Sequence, residues 1–148
     1  MMKINIYVGG RDRRDWAAEG ISHFIQLLRP FANISIDIFS PEQGSEPKDT
    51  ESLFNRVPAG IPIVLLDHSG ATKNSIEFAR LVKDLSGHSG KLAFFIGGPE
   101  GFSKDIIDQA KNVISLSPMT FSHRLALIIF LEQLYRAFDI SSKGKYQR

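Results

Sequence analysis

The chain has 148 residues, 43% of them hydrophobic and 23% charged, which predicts one compact domain over residues 1–148. It contains no cysteine, which excludes thiolate catalysis, disulfides and Cys-ligated zinc, and its net charge of +2 permits an anionic partner without demonstrating one. Since no apolar run reaches the ~20 residues of a membrane span and residues 1–5 lack a signal-peptide core, we expect a cytoplasmic protein with no membrane partner.

Short β-rich runs alternate with longer amphipathic stretches along the chain. This pattern predicts an α/β fold, with a mostly parallel sheet flanked by helices. The predicted strands are Lys3–Val8, Ile34–Ile38, Ile61–Leu66, Leu92–Ile96 and Asn112–Leu116. The third and fourth are nearly continuous apolar runs, which indicates central strands covered on both faces.

Helices are predicted between and after these strands, at Asp15–Leu28, Asp49–Asn55, Ser75–Leu85 and Phe121–Phe138. The polar segment Ser40–Pro47 is predicted to be a mobile loop. In the last helix, Ala126–Leu131 is apolar all round, which a surface helix with one buried stripe does not need. Either this helix packs centrally within its own domain, or a second subunit covers its other face.

A glycine-rich turn, Gly97–Ser103, follows the fourth strand, at the carboxyl edge where parallel sheets place their ligands. Its glycines allow a ligand to approach the backbone closely. The turn matches neither the P-loop nor the dinucleotide fingerprint, which disfavours phosphate binding. From the residues alone, a ligand site and a simple tight turn remain equally open.

Polar residues also follow the third and fifth strands. Asp67 could hold a ligand hydroxyl or amine, although an Asx-turn is the commoner role for an aspartate at a strand end. His68 is expected to be an exposed loop residue. After the fifth strand, Thr120 or Ser122 suits the N-cap of the last helix. The spacing of His123 from the other histidines gives no metal signature, so no metal is expected.

The C-terminal tail, Lys143–Arg148, is basic and contains Tyr146. An aromatic ring among cations suits contacts with RNA, although terminal lysines and arginines are more often ordinary solubilising residues. Upstream, Glu132 and Arg136 are spaced i,i+4, as in a surface ion pair.

Several ordered motifs resemble one known family. They are Leu66-Asp67-X-X-Gly70, Ile96–Gly101, Ser115–Thr120, His123, Glu132–Ala137 and the ending Tyr146-X-Arg148. With a Trp in the first helix, they make the whole chain similar to the ribosomal RNA large subunit methyltransferase H family of the SPOUT superfamily. The resemblance implies a C-terminal trefoil knot, S-adenosylmethionine as methyl donor, a homodimer, and methylation of N3 of a pseudouridine in large-subunit ribosomal RNA, with that RNA or the ribosome as partner.

The resemblance also implies roles for particular residues. Tyr146, Arg148 and His123 are expected on the acceptor side. Cofactor binding is expected at Leu66, Asp67, Gly98, Ser117, Pro118, Met119, Thr120, Phe121 and Ser122.

The chain departs from the family pattern at three places. Gln147 replaces the histidine of the usual Tyr-His-Arg ending, and Leu127 stands where the last helix usually carries an arginine, with Arg124 directly after His123. The usual basic loop after the second strand is the acidic Ser40–Pro47. A SPOUT enzyme with another RNA target, a non-catalytic relative that binds RNA or cofactor, and a flavodoxin-type module remain as alternatives.

Overall fold

The computed structural model describes residues 1–10, 15–39, 53–98 and 101–147, and the predicted loop Ser40–Pro47 therefore lies outside the described residues. In chain order the elements are β1 (Met2–Gly9), α1 (Ala18–Leu28), β2 (Ala32–Phe39), β3 (Ile63–Thr72), α2 (Ser75–Ser86), β4 (Lys91–Ile96), α3 (Lys104–Gln109), β5 (Val113–Ser115) and α4 (His123–Ser141). The α/β class is confirmed, with each of the five predicted strands overlapping an observed one. The trefoil knot stays a prediction.

The five strands form one parallel sheet in the order β2-β1-β4-β3-β5. Apolar side chains pack on both of its faces. One face carries buried residues of α1, α2 and α4, including Leu28, Phe78 and Phe130. The other carries Leu53 and Ile106 against Phe95. This two-sided burial explains the continuous apolar sequence of β4, the central strand.

β3 does not end at Leu66 as predicted, but continues to Thr72. Its pairing with β4 ends at Leu66 opposite Ile96, and its pairing with β5 resumes at Ala71 after an irregularity. Gly70 makes this possible, because a Cβ there would lie 2.7 Å from the backbone of Val113. Asp67 therefore lies inside a long, irregular strand, at the point where β3 leaves β4.

Two short helical segments differ in how well the sequence signals them. The six-residue α3 was not predicted, although Ser103 caps it by accepting a hydrogen bond from the Ile106 N–H over 3.3 Å. In the predicted helix at Asp49–Asn55, Leu53 and Phe54 are helical, and residues 49–52 lie outside the described residues.

The long helix α4 begins after Ser122, whose hydroxyl accepts from the Leu125 N–H, so Ser122 rather than Thr120 is the N-cap. The chain's own fold buries a stripe along α4, namely Arg124, Leu127, Phe130, Leu131, Leu134 and Ala137. Ile129 is only half-buried and Leu125 is exposed. Among the described residues, no helix is long and apolar enough to cross a membrane.

Candidate active site

Three segments that are distant in sequence meet in one cleft at the carboxyl edge of the sheet. They are the Leu66–His68 part of β3, the glycine turn after β4, and the segment between β5 and α4. The cleft has a volume of about 160 Å³ and is lined by Leu66, Asp67, His68, Ile96, Gly97, Gly98, Gly101, Leu116, Ser117, Met119, Thr120, Phe121, His123 and Ala126. Seven of the nine predicted cofactor-binding residues thus line one cleft. Of the described residues in that prediction, Pro118 and Ser122 fall outside the lining.

The glycine turn closes on itself. The Gly101 N–H donates to the Gly98 carbonyl over 2.9 Å, and Gly101 has the left-handed φ of +69°. A Cβ on Gly97 would lie 3.0 Å from the Gly101 Cα. Gly97 is therefore glycine because the turn is tight, and the turn presents its backbone to the cleft.

Gly98 packs against the end of β1. A Cβ at Gly98 would lie 3.3 Å from the Gly9 carbonyl carbon, and a Cβ at Gly9 would lie 2.6 Å from the Gly98 nitrogen. Close backbone packing between the ends of β1 and β4 therefore accounts for the absence of a side chain at Gly98.

Asp67 makes the Asx-turn that its position in the sequence favours. Its Oδ2 atom accepts from the Ser69 N–H over 3.0 Å and from the Ser69 hydroxyl. The side chain of Asp67 is 5% exposed, whereas that of His68 is 60% exposed. The other carboxylate oxygen, Oδ1, faces Gly101, where a Cβ would be 3.5 Å away. The Asx-turn fixes the carboxylate at the cleft wall, so the turn and a ligand role are compatible.

The segment before α4 is shaped by its own hydroxyl groups. Ser115 donates to the Ser117 carbonyl over 2.7 Å, and the Ser117 hydroxyl accepts from the Met119 N–H over 3.0 Å. Met119 is 73% exposed and Phe121 is 36% exposed. These two side chains give the cleft an apolar, solvent-facing rim.

His123, the first residue of α4, is held tightly at the cleft. Its ring packs on Gly10, where a Cβ would lie 2.5 Å from the Nε2 atom, and Nε2 is buried. The next residue, Arg124, is buried and donates to the carboxylate of Asp15 from both Nε (2.9 Å) and a terminal nitrogen (2.7 Å). Because Asp15 also accepts from the Ala17 N–H, this ion pair joins the start of α1 to the start of α4.

The tail folds back on α4 and forms a polar cluster with it. Glu132 Oε1 accepts from Arg136 at 2.5 Å and from the Tyr146 hydroxyl at 2.9 Å. The Arg136 guanidinium lies 4.7 Å from the centre of the Tyr146 ring and donates to the Gln147 side-chain oxygen over 2.6 Å. Burial, followed by the hydrogen bond with Glu132, raises the pKa of Tyr146 above its ordinary value. The predicted Glu132–Arg136 pair is therefore part of the tail's docking site.

Within one chain the structure does not bring the three predicted acceptor residues together. His123 lines the cleft, whereas Tyr146 docks on Glu132, nine positions further along the same helix. At 1.5 Å per residue this separation is about 14 Å. Arg148 lies outside the described residues.

Comparison with known proteins identifies the family. Residues 2–147 match the sequence profile of the family described as "Predicted SPOUT methyltransferase". The chain belongs to the SPOUT methyltransferase family. A ribosomal RNA large subunit methyltransferase H of Bacteroides fragilis is 36% identical over 155 residues, covering 98% of each protein. One from a Thermotoga species is 38% identical over 150 residues, covering 98% of this chain and 99% of the relative.

A solved structure shares the SPOUT fold. It is a probable methylase family protein from Haemophilus influenzae, with a TM-score of 0.56 and 11% identity. The match covers 95% of this chain and 66% of the other, so the chain spans about two thirds of that protein. Within the described ranges, no group of three or more His, Asp or Glu residues could hold a metal ion.

Two residues that line the cleft, Ala126 and His68, were not predicted to belong to a site. Ala126 lies one turn into α4, and its alanine side chain carries no chemical signal. His68 was expected only as an exposed loop residue, and it is exposed while also lining the cleft. The signal for the cleft in the sequence is that polar or glycine-rich residues follow each of three predicted strands.

Proposed function

We propose that this SPOUT methyltransferase uses S-adenosylmethionine to methylate large-subunit (23S) ribosomal RNA, at N3 of a pseudouridine. The names of its full-length relatives support the RNA substrate. The observation that carries the proposal is the single cleft formed by the three segments whose motifs match the family. Residues 1–148 would form one methyltransferase domain, acting in the cytoplasm where ribosomes assemble.

The cleft offers the groups that such a methyl donor requires. Buried apolar side chains of Leu66 and Ile96 can cover the adenine, while the hydroxyls of Ser117 and Thr120 and the backbone of the glycine turn can hydrogen-bond its polar atoms. When bound, S-adenosylmethionine supplies an electrophilic methyl group. The chain's contribution is to align this group with the acceptor and to exclude water, which accounts for most of the acceleration in a displacement of this kind.

The acceptor N3–H is weakly acidic and must lose its proton. His68 and His123 both line the cleft, but the His123 ring is fixed against Gly10 whereas His68 is 60% exposed. We assign proton acceptance to His123. Tyr146 is unsuited to this role, because its hydroxyl donates a hydrogen bond to Glu132 and its raised pKa keeps the phenol protonated. The tail would bind and orient the RNA.

A homodimer would bring the tail to the cleft. Since about 14 Å of helix separates them within one chain, the tail of one subunit would complete the cleft of the other. A second cavity, about 330 Å³ in volume, lies beside α4 between Ser75, Ile129 and Gln133, and we propose that the partner subunit packs on this face. Ile129→Glu would place a charge in this face, and we expect a weakly associating protein by light scattering. A variant that stayed dimeric would argue against this interface.

Cofactor binding is tested by filling the cleft. Ala126→Phe places a ring among the lining residues, and we expect the affinity for S-adenosylmethionine, measured by calorimetry, to fall at least about tenfold, the effect of losing about 1.4 kcal/mol. Leu125→Phe is the matched control, because Leu125 is the exposed neighbour on the same helix. Unchanged affinity in the Ala126 variant would contradict the site, and preferential binding of flavin mononucleotide would favour a flavodoxin-type module.

The substrate is tested by mass spectrometry of ribosomal RNA from cells that lack the protein. We expect one methyl group to disappear from a pseudouridine of the large subunit and to return on complementation. Loss at a different nucleotide would indicate a SPOUT enzyme with another RNA target. No change, together with normal cofactor binding, would indicate a non-catalytic relative.

A further inference from the structure

The carboxylate of Asp139 lies near the C-terminus of α4, where a negative charge is unfavourable unless another group compensates it. Asp139 lies two residues before the end of α4, and the last turn of that helix contains no basic residue. A carboxylate near a helix C-terminus is disfavoured by the helix dipole and by the exposed carbonyl groups there. The helix itself therefore gives no reason for an aspartate at this position.

The partner of Asp139 is the backbone of the tail. Its Oδ2 atom accepts from the Tyr146 N–H over 3.0 Å and from the Gln147 N–H over 3.3 Å. Its main-chain carbonyl accepts from the Gly144 N–H over 2.8 Å. One residue of α4 thus binds three backbone groups of the tail, and its bonds to Tyr146 and Gln147 do not depend on the side chains at those two positions.

The turn between α4 and the tail is built around this carboxylate. Lys143 adopts the left-handed φ of 57°, which reverses the chain. Gly144 then passes so close to Asp139 that a Cβ would lie 1.9 Å from its Oδ1 atom. Glycine at 144 is therefore required by the side chain of Asp139.

We propose that Asp139 is a positioning residue, whose carboxylate anchors the tail to α4 and so presents Tyr146 and Gln147 to the RNA. This inference rests on the proposed function for its catalytic consequence, whereas the anchoring itself does not. Without the anchor, Glu132 and Arg136 would still contact the side chains of the tail, but its backbone would be free to move.

The anchor is tested on the full-length protein by limited trypsin digestion, because Lys143 and Lys145 lie in the tail. We expect Asp139→Ala to speed removal of the tail about tenfold, as the loss of two hydrogen bonds opens it more often. Cleavage after Lys111, an exposed lysine outside the tail, serves as the internal reference. Asp139→Asn keeps an oxygen that can accept both amide protons, so it should restore most of the protection.

Gly144→Ala gives an independent test. It should free the tail as Asp139→Ala does, because the added methyl group displaces the carboxylate. In the double variant, the methyl group at position 144 no longer meets a carboxylate. Its tail should therefore be cleaved no faster than that of Asp139→Ala. If the two substitutions increased the cleavage rate additively, the contact between Gly144 and Asp139 would not be the cause of either effect.

Methyl transfer to ribosomes lacking the modification distinguishes positioning from mere structure. Asp139→Ala should lower kcat/KM for ribosomes at least about tenfold, with cofactor affinity unchanged, because the cleft is not altered and only the position of the tail is lost. Asp84→Ala is the matched control, because Asp84 also lies two residues before the end of its helix and contacts no tail residue among those described.

Three outcomes are decisive. Trypsin cleavage of Asp139→Ala at the wild-type rate would overturn the anchor. Faster cleavage with unchanged transfer would overturn the positioning role. If Asp139→Ala is cleaved faster but the wild-type protein methylates no ribosomal RNA, the anchor is supported and the proposed function is overturned.

Discussion

The hydroxyl of Tyr146 donates to Glu132 Oε1 over 2.9 Å, fourteen positions back along the chain. This bond uses the only proton of the phenol. In this arrangement Tyr146 can present its ring or accept a hydrogen bond, but it cannot donate one to a nucleobase. The tail is therefore docked on its own helix before any RNA is bound.

Glu132→Gln should lower the pKa of the Tyr146 phenol. Burial and the Glu132 carboxylate both raise this pKa, and the amide removes only the second contribution. Because the folded pKa is raised, the group's contribution to the free energy of unfolding is complete below the ordinary value of about 10 and is lost as the pH rises beyond it. Titration by ring-carbon NMR, with Tyr146→Phe to assign the signal, measures the shift. An equal shift in Glu19→Gln would contradict the pairing.

Subunit mixing should reveal a shared site. Ala126→Phe lacks a working cleft, and a chain truncated after Lys145 lacks the tail, so neither should transfer methyl groups alone. If the tail acts on the partner's cleft, half of the randomly mixed dimers are heterodimers and each has one intact site, so about a quarter of wild-type activity returns. Activity that stayed absent after mixing would show that each cleft uses its own tail, or that no dimer forms.

Breaking the ion pair between Asp15 and Arg124 should lower stability. The side chains are 16% and 9% exposed, and Arg124→Met removes two charge-assisted hydrogen bonds from this largely buried pair, so it should reduce the free energy of unfolding by about 3 kcal/mol. Urea denaturation measures the loss. In the double variant with Asp15→Asn, the loss should be smaller than the sum of the two single losses, because both substitutions remove the same interaction. A loss in the double variant equal to that sum would refute this account.

Gly98→Val should destabilise the fold as well as the site. Its Cβ would already lie 3.3 Å from the Gly9 carbonyl carbon, and the two methyl groups add to the crowding, so we expect a loss of about 1–3 kcal/mol. Thermal unfolding in the absence of cofactor is the appropriate measurement. Weakened cofactor binding with full stability would instead mean that the ligand occupies this space.

Gln147→His should increase methyl transfer, because it introduces a group that titrates near neutral pH. Gln147 accepts a hydrogen bond from Arg136, and a neutral imidazole nitrogen can accept the same bond. Gln147→Ala is the control, since it removes the bond without adding a base. If the histidine variant were no faster than wild type, a titratable group at position 147 would not assist the proton transfer that we assign to His123.

The sequence was sufficient to predict the sheet and the cleft, because their signals are local and physical. Apolar runs mark β3 and β4, and polar residues mark the places where the pairing of these strands ends. The extension of β3 to Thr72 could not be predicted from these runs, since Asp67–Gly70 is polar and the pairing with β5 resumes only at Ala71. Similarly, α3 is too short to show a helical period.

The roles of Gly98 and Asp139 could not be predicted, because each depends on a segment that folding brings close. Gly98 packs against Gly9, which is distant in the sequence. Asp139 contacts the tail only because the chain reverses at Lys143. The pairing of Glu132 with Arg136 was visible as i,i+4 spacing, whereas its extension to Tyr146 depends on the same reversal.

The helix α4 also sets a distance. It carries His123 at its first residue and the docking site of the tail from Glu132 onward, with the whole interval helical. One residue inserted between them would move the tail about 1.5 Å along the axis and turn it by about 100°. Substitutions that keep the helix intact would preserve this spacing, whereas a single insertion would move the docked tail to a different side of the helix relative to His123. The length of α4, and not only the identity of its residues, therefore determines where the tail lies relative to the cleft.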